Sequence, residues 1–148
     1  MFSQNLMTIL YADDDPEDRM LTQEAFEESK LASQLFFVED GEELMEYLNH
    51  EGKYSDTKEY PLPDLILLDL NMPKKDGREC IKEIKEIEEV KNIPIVVLTT
   101  SNNEEDVLKT YNLGVSSFIT KPVTFDSMVD IVKSLNQYWF QIVRLPNK

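Results

Sequence analysis

The sequence has few of the residues that build covalent and metal-bound scaffolds. Cys80 is the one cysteine among 148 residues, so the chain cannot form an internal disulfide, and His50 is the one histidine. The Cys and His spacing of a zinc site is therefore missing, and so are internal repeats and low-complexity tracts. The lack of a disulfide framework favours a reducing compartment.

Long apolar runs and positive charge are also scarce. No run approaches the roughly 20 residues of a membrane-spanning helix. Because Ser3, Gln4 and Asn5 interrupt the apolar start, we expect no cleavable leader. The 29 acidic residues outnumber the 15 Lys and Arg residues, which gives a formal net charge of −14. Nucleic acids and anionic membranes need positive charge facing them, so we expect the protein to bind neither. The lone cysteine and the expected lack of a leader predict a cytoplasmic protein.

What the sequence does contain is an alternation of short apolar runs with longer stretches of helical period. Five runs have the length of buried strands: Thr8 to Ala12, Leu35 to Val38, Leu65 to Leu70, Ile93 to Thr99 and Ser117 to Thr120. This alternation predicts an α/β fold, a doubly wound parallel sheet with helices on both faces. With 148 residues, of which 41% are hydrophobic, we expect a single domain spanning residues 1–148.

Polar residues stand where ligands bind in such sheets, at the carboxyl ends of the strands. The first run is followed by Asp13 and Asp14, the third contains Asp69, the fourth ends at Thr99, and Lys121 follows the fifth. Three carboxylates brought within a few ångströms repel one another unless a cation joins them. Oxygen ligands favour Mg²⁺ over zinc. The sequence therefore predicts a magnesium site at this edge of the sheet.

The charges at this edge would suit a phosphoryl group. One divalent cation and the Lys121 ammonium balance three carboxylates, so a phosphoryl group can enter without prohibitive repulsion. The metal and Lys121 would hold its oxygens, the Thr99 hydroxyl would donate to another, and Asp69 is the predicted nucleophile. Asp15 is interpreted differently, as the cap of a helix that begins at Pro16.

Four stretches of the chain resemble the receiver domains of two-component response regulators, a family that includes the chemotaxis regulator. They are ILYADDDPEDRMLTQEAF, DLILLDLNMPKKDG, IPIVVLTTSNNEED and FITKPV, and the resemblance covers nearly the whole chain. Within the family, EDGEELMEYL, YNLGVSSFITKPV and YWFQIVRLP are most similar to the stand-alone regulators of phytochrome-type histidine kinases. The resemblance implies a flavodoxin-like five-stranded sheet in the order 2-1-3-4-5.

The resemblance also implies roles for the residues that would handle the phosphoryl group. Asp69 matches the phosphoacceptor, and Thr99 and Lys121 match the residues that contact the phosphoryl oxygens. Pro122 matches a cis peptide that aims the ammonium into the cleft. Phe118 occupies the position of the aromatic switch residue, where a phenyl ring can fill space but lacks the hydroxyl contact of a tyrosine.

The magnesium ligands are implied in the same way. Asp14, the Asp69 carboxylate and the backbone carbonyl of Asn71 would ligate Mg²⁺, and Asp13 would hold metal-bound water. The implied function is a two-component response regulator that takes a phosphoryl group from a histidine kinase and signals through protein contacts. We expect no enzyme activity beyond its own phosphorylation and dephosphorylation, and no fused effector.

Two other functions remain open from the sequence. A receiver that serves as a phosphorylation-independent scaffold would have the same fold, and metal binding would distinguish it. A phosphohydrolase with an aspartate nucleophile needs a second acid two residues after that nucleophile to protonate the leaving group. That position is Asn71, which has no proton to deliver, so this alternative is disfavoured.

The segment Phe125 to Pro146 is predicted to form an extended C-terminal helix and tail. Residues at helical spacing can face the sheet: Met128, Ile131 or Val132, Leu135, Trp139 and Ile142. Further apolar residues would leave aromatic surface in water: Tyr138, Phe140, Val143 and Leu145. The tail could fold back over its own domain, but the resemblance favours a homodimer, in which a twofold axis buries each patch once.

Overall fold

The structure, a computed structural model, describes residues 7–29, 33–99, 109–120 and 124–135, with Thr99 described by its backbone alone. Five parallel strands form one sheet in the order β2-β1-β3-β4-β5. The strands are β1 Met7–Ala12, β2 Ser33–Val38, β3 Leu65–Leu68, β4 Ile95–Thr99 and β5 Ser117–Thr120. The predicted flavodoxin-like strand order is confirmed.

Helices connect the strands and cover the sheet. They are α1 Pro16–Ser29, α2 Gly41–Leu48, a short 3-10 helix Gly52–Tyr54, α3 Gly77–Glu86, the helical residues 109–112, labelled α4, and α5 Phe125–Leu135. Among the described residues, no helix combines the length and apolarity that a membrane span requires.

The helices around the ends of β1 and β3 have N-caps formed by aspartate side chains. The Asp15 carboxylate accepts the Glu17 N–H at 2.9 Å, and Pro16 occupies the first helical position, as predicted. Asp40 caps α2 and Asp76 caps α3 in the same way. Each cap supplies an acceptor to a backbone N–H that has no partner within its helix.

Two apolar cores lie on opposite faces of the sheet because successive side chains of a strand alternate between faces. Leu10 and Ala12 of β1 belong to the core under α2 and α3. Ile9 and Tyr11 belong to the core under α1 and α5. All four are completely buried. The odd positions of β1 therefore face α1, which places Asp13 on that side as β1 ends.

The strand boundaries differ from the predicted runs in two informative places. β3 ends at Leu68, so Asp69 and Leu70 lie beyond the strand, where the Leu70 carbonyl accepts the Gly77 N–H at 2.9 Å and closes a loop. β4 begins at Ile95 because Pro94 has no N–H to donate to the sheet. At the other strands, β1 begins one residue earlier than predicted and β2 two residues earlier.

The irregular connection 49–63 is anchored by aromatic side chains. Most of its residues are exposed, but Tyr54 is buried and its ring lies 4.8 Å from that of Tyr60, edge to face. The Tyr47 hydroxyl donates to the Pro61 carbonyl at 2.8 Å. Phe36 packs against the same rings. The connection therefore forms part of the core under α2 and α3.

In α5, the residues expected to face the sheet are buried: Met128, Val132 and Leu135. The remainder of the predicted tail, which includes Tyr138 to Leu145, lies outside the described residues.

Candidate functional site

Three carboxylates converge at the carboxyl edge of the sheet. Asp13, Asp14 and Asp69 each offer one oxygen, and these oxygens lie within 4.8 Å of one another. The strand register brings two of these aspartates together, because Ala12 of β1 pairs with Leu68 of β3 and an aspartate directly follows each of these strands. Asp13 and Asp69 are buried, and Asp14 is exposed.

An open cleft of about 360 Å³ lies over these carboxylates. It is lined by Asp13, Asp14, Asp15, Pro16, Asp18, Asp69 and Asn71. Apart from Pro16, these described lining residues carry carboxylate or amide oxygens, the ligand atoms that hard divalent cations take, and none of them carries a thiol or an imidazole. This donor set fits magnesium or manganese.

Backbone contacts fix the position of Asp69. Its N–H donates to the Ala12 carbonyl at 2.9 Å, and one oxygen of its carboxylate accepts the Asn71 N–H at 3.2 Å. A Cβ on Gly77 would lie 2.8 Å from the Asp69 carbonyl oxygen, so the start of α3 rests directly on this backbone. The lack of a Cβ at Gly77 is therefore what permits this close approach.

Asp13 is held by residues that the sequence reasoning missed. Its Oδ1 accepts the Asp15 N–H at 2.9 Å, and its Oδ2 accepts the Tyr11 hydroxyl at 2.6 Å. Arg19 donates to the Asp13 carbonyl at 2.7 Å and to Glu39 at 3.2 Å. A sequence signal exists for Tyr11, which lies two residues before Asp13 and so on the same side of the strand. None links Arg19 to Asp13.

The Tyr11 hydroxyl is a donor in this contact. Burial, the negative charge of Asp13 and the hydrogen bond to it together raise the pKa of Tyr11 well above the ordinary 10.0. The phenol therefore remains protonated at neutral pH and donates its proton to the Asp13 carboxylate.

The loop that carries Asn71 rests on the start of α2. The Lys74 ammonium lies 3.6 Å from the Asp40 carboxylate, and a Cβ on Gly41 would collide with the Lys75 carbonyl. The Cys80 thiol donates to the Gly41 carbonyl at 3.5 Å. These contacts fix the loop against α2 and α3, and the backbone of Asn71 is fixed with it.

The other predicted site residues lie at or beyond the last two strands. Thr99 ends β4 at the same edge of the sheet as Asp69, and its backbone pairs with Thr120. Its side chain, Lys121 and Pro122 lie outside the described residues. Phe118 is half-buried on β5, with its ring centroid 6.3 Å from that of Tyr111 in α4.

Comparisons with known proteins agree with this geometry. Residues 9–133 match the response regulator receiver domain. Response regulator Rcp1 of Synechocystis sp. is 41% identical over 138 residues, which cover 93% of this chain and 92% of Rcp1.

Two solved structures of similar proteins cover nearly all of the chain. The phosphorylated cyanobacterial phytochrome response regulator RcpA has a TM-score of 0.86 and 42% identity, covering 96% of this chain and 99% of RcpA. The Mn²⁺-bound form of Rcp1 has a TM-score of 0.82 and 41% identity, covering 95% and 99%. With its parallel sheet and its acidic cluster at the ends of β1 and β3, the chain belongs to the response regulator receiver domain family.

Proposed function

We propose that this receiver domain is a phosphorylation-controlled switch that accepts a phosphoryl group on Asp69 in a Mg²⁺-dependent reaction. The observation that carries the proposal is the convergence of the Asp13, Asp14 and Asp69 oxygens within 4.8 Å beneath an open cleft. An acid cluster of this density at the carboxyl edge of a parallel sheet is suited to a cation and an anionic ligand together.

The metal would be held by oxygen ligands from two loops. Asp14, Asp69 and the Asn71 backbone carbonyl would bind it, and Asp13 would bind its water. When bound, the ion supplies positive charge that polarises phosphoryl oxygens. Rcp1, a similar receiver, has been solved in a Mn²⁺-bound form, which supports a divalent ion in this cleft.

The chemical step uses the Asp69 carboxylate as a nucleophile. One of its oxygens attacks the phosphorus of a phosphohistidine, and the nitrogen–phosphorus bond breaks with its electron pair remaining on the imidazole. The product is an acyl phosphate on Asp69. Lys121 and the Thr99 hydroxyl would contact the transferred oxygens, as the family resemblance implies. That RcpA, a relative of 42% identity, has been solved in phosphorylated form supports this step.

The phosphoryl donor would be a histidine kinase of the phytochrome type, in the cytoplasm. Similarity to the phytochrome regulator RcpA supports this assignment. Phosphorylation would shift the population between two conformations, and the output would be contact with another protein. Phe118 would report the switch, because its ring packs at the edge of the core beside Tyr111.

A homodimer formed through residues 125–146 completes the proposal. The proposal is supported by the apolar residues of this segment, which outnumber those that a single stripe of a helix can bury against the sheet. Sedimentation velocity at micromolar concentration tests it. A monomer in both the resting and beryllofluoride-bound protein would rule the dimer out, and a dimer that survives deletion of residues 138–148 would place the interface elsewhere.

The phosphorylation proposal is tested with a small donor. Incubation with acetyl phosphate and Mg²⁺ should add one acid-stable, base-labile phosphoryl group, detected by intact mass. Asp69→Asn should abolish it, while Asp126→Asn, an exposed position on α5, should leave it unchanged. Circular dichroism confirms that both variants fold.

Three outcomes would contradict the proposal. Labelling that persists in Asp69→Asn would identify a different acceptor, and labelling that survives a chelator would remove the metal from the reaction. If Mg²⁺ alters neither the NMR shifts nor the thermal stability of the wild-type protein, the phosphorylation-independent scaffold becomes the better description.

A further inference from the structure

We propose that Tyr11 is a positioning residue for the metal site, which sets the orientation of the Asp13 carboxylate through its hydroxyl. The inference rests on the proposed function, because it assumes that the carboxylate cluster binds a divalent metal ion. It assigns a second role to a strand residue that otherwise belongs to the core. Its basis is the 2.6 Å hydrogen bond from the Tyr11 hydroxyl to Asp13 Oδ2.

The Asp13 carboxylate is constrained at both oxygens. Tyr11 donates to Oδ2, and the Asp15 N–H donates to Oδ1 at 2.9 Å. A planar carboxylate with a fixed donor on each oxygen has one orientation, so neither rotation nor retreat from the cleft is open to it. Its remaining lone pairs then have a set direction in which to accept from metal-bound water.

The donor itself has little freedom. Tyr11 is completely buried in the core under α1 and α5, and its ring centroid lies 6.0 Å from that of Phe37 with the planes tilted by 57°. Thr22 of α1 is buried beside the Tyr11 hydroxyl. The ring therefore holds the hydroxyl at one place, and the hydroxyl holds the carboxylate.

Electrostatics explains why the hydrogen bond from Tyr11 to Asp13 is useful. Without a cation, Asp13 lies within 4.8 Å of two other carboxylates, which repel it, and it is completely buried. A neutral donor stabilises the charged carboxylate without contributing a positive charge that would compete with the metal. Preorganising a ligand before the ion arrives removes an ordering cost from binding.

Arg19 does not duplicate this role. It donates to the backbone carbonyl of Asp13 and so fixes the loop, whereas the Tyr11 hydroxyl donates to the carboxylate that faces the cleft. The two contacts therefore make separable predictions.

Tyr11→Phe tests the inference, because it removes the hydroxyl and keeps the ring that packs in the core. Binding of Mn²⁺ to the full chain is measured from the EPR signal of the free ion, with Mg²⁺ as competitor. We expect the dissociation constant to rise about tenfold, the loss typical of one hydrogen bond to a charged group. Tyr47→Phe is the matched control: its hydroxyl is also bonded, to the Pro61 carbonyl, and the ring is buried. Its constant should stay within about twofold of wild type.

A double-mutant cycle separates positioning from general loosening of the fold. If Tyr11 acts through Asp13, adding Tyr11→Phe to Asp13→Ala should weaken binding no further. Equal affinity of Tyr11→Phe and wild type, or a full additional loss in the double variant, would overturn the inference. Failure of the wild-type chain to bind Mn²⁺ would instead overturn the proposed metal site, so the two failures are distinguishable.

Discussion

Replacing Gly77 with alanine should disturb the site through the backbone, without touching any charged group. An added Cβ would lie 2.8 Å from both the Asp69 carbonyl oxygen and the Leu70 Cα. Ordinary contacts between such atoms begin at about 3.5 Å, so one side must move by about 0.7 Å. Both contacts are to backbone, which cannot swing aside as a side chain can.

The cost follows from overpacking at a buried position. Forcing extra volume into a packed interior costs about 1–3 kcal/mol. Alanine at the start of α3 recovers at most about 1 kcal/mol through its better helix propensity. Because both contacts are to backbone, we expect a cost in the upper part of this range, about 2–3 kcal/mol, so that after this gain Gly77→Ala lowers the free energy of unfolding by about 1–2 kcal/mol. Because the segment that moves carries Asp69, metal affinity and the rate of phosphorylation by acetyl phosphate should fall with it.

Urea unfolding, Mn²⁺ titration and the labelling rate measure these three quantities. Gly114→Ala is the control: its φ of +98° is unfavourable for alanine, but it lies before β5, at the opposite edge of the sheet, where the nearest atoms to a Cβ would belong to the flexible Lys85 side chain. It should lose stability and keep its metal affinity. If Gly77→Ala is as stable as wild type, or loses no more metal affinity than Gly114→Ala, the reasoning fails.

Three further outcomes are expected elsewhere in the fold. Burial opposes ionisation of the Glu43 carboxyl, but hydrogen bonds, led by the one from the Tyr54 hydroxyl, outweigh burial and hold the pKa of Glu43 below 4.5. The ionised carboxylate therefore stabilises the fold above that pH, and this contribution is lost as the pH falls. Tyr54→Phe should make the free energy of unfolding depend less steeply on pH in the acid range. Burial raises the pKa of the Cys80 thiol to about 12 and keeps it from solvent, so a disulfide reagent at pH 8 should modify it at least about tenfold more slowly in native than in unfolded protein. Beryllofluoride should shift the NMR signals of Phe118 and Tyr111, and unchanged signals would place the output on another face.

Much of the fold and the centre of the site could be predicted because both follow from local patterns. Five apolar runs separated by helical segments leave few arrangements other than a parallel sheet, and acids directly after two of those runs must emerge at its carboxyl edge. The pairing of Ala12 with Leu68 then brings Asp13 and Asp69 together. No side-chain detail is needed for this step.

The parts that could not be predicted depend on how far a particular side chain reaches. Arg19 contacts a carbonyl six residues earlier, and Tyr54 reaches Glu43 from the short 3-10 helix of the connection 49–63. β3 ends at Leu68, and just beyond it the Leu70 carbonyl accepts the Gly77 N–H, a contact between the loop and the start of α3. Such contacts are set by tertiary packing, which periodicity does not encode.

The three carboxylates of the site are accommodated in three different ways. Asp13 is completely buried and receives donors on both oxygens, from Tyr11 and from the Asp15 backbone. Asp69 is buried against a loop whose Asn71 N–H donates to it. Asp14 is exposed, where water screens its charge. The chain can therefore hold three carboxylates together before a cation arrives. Asp13 and Asp69 are buried and fixed by hydrogen bonds, and Asp14 lies at the exposed mouth of the cleft. This division suits a site that must bind a small ion reversibly: Asp14 can meet the hydrated ion first, and the positions of Asp13 and Asp69 are already fixed when it does.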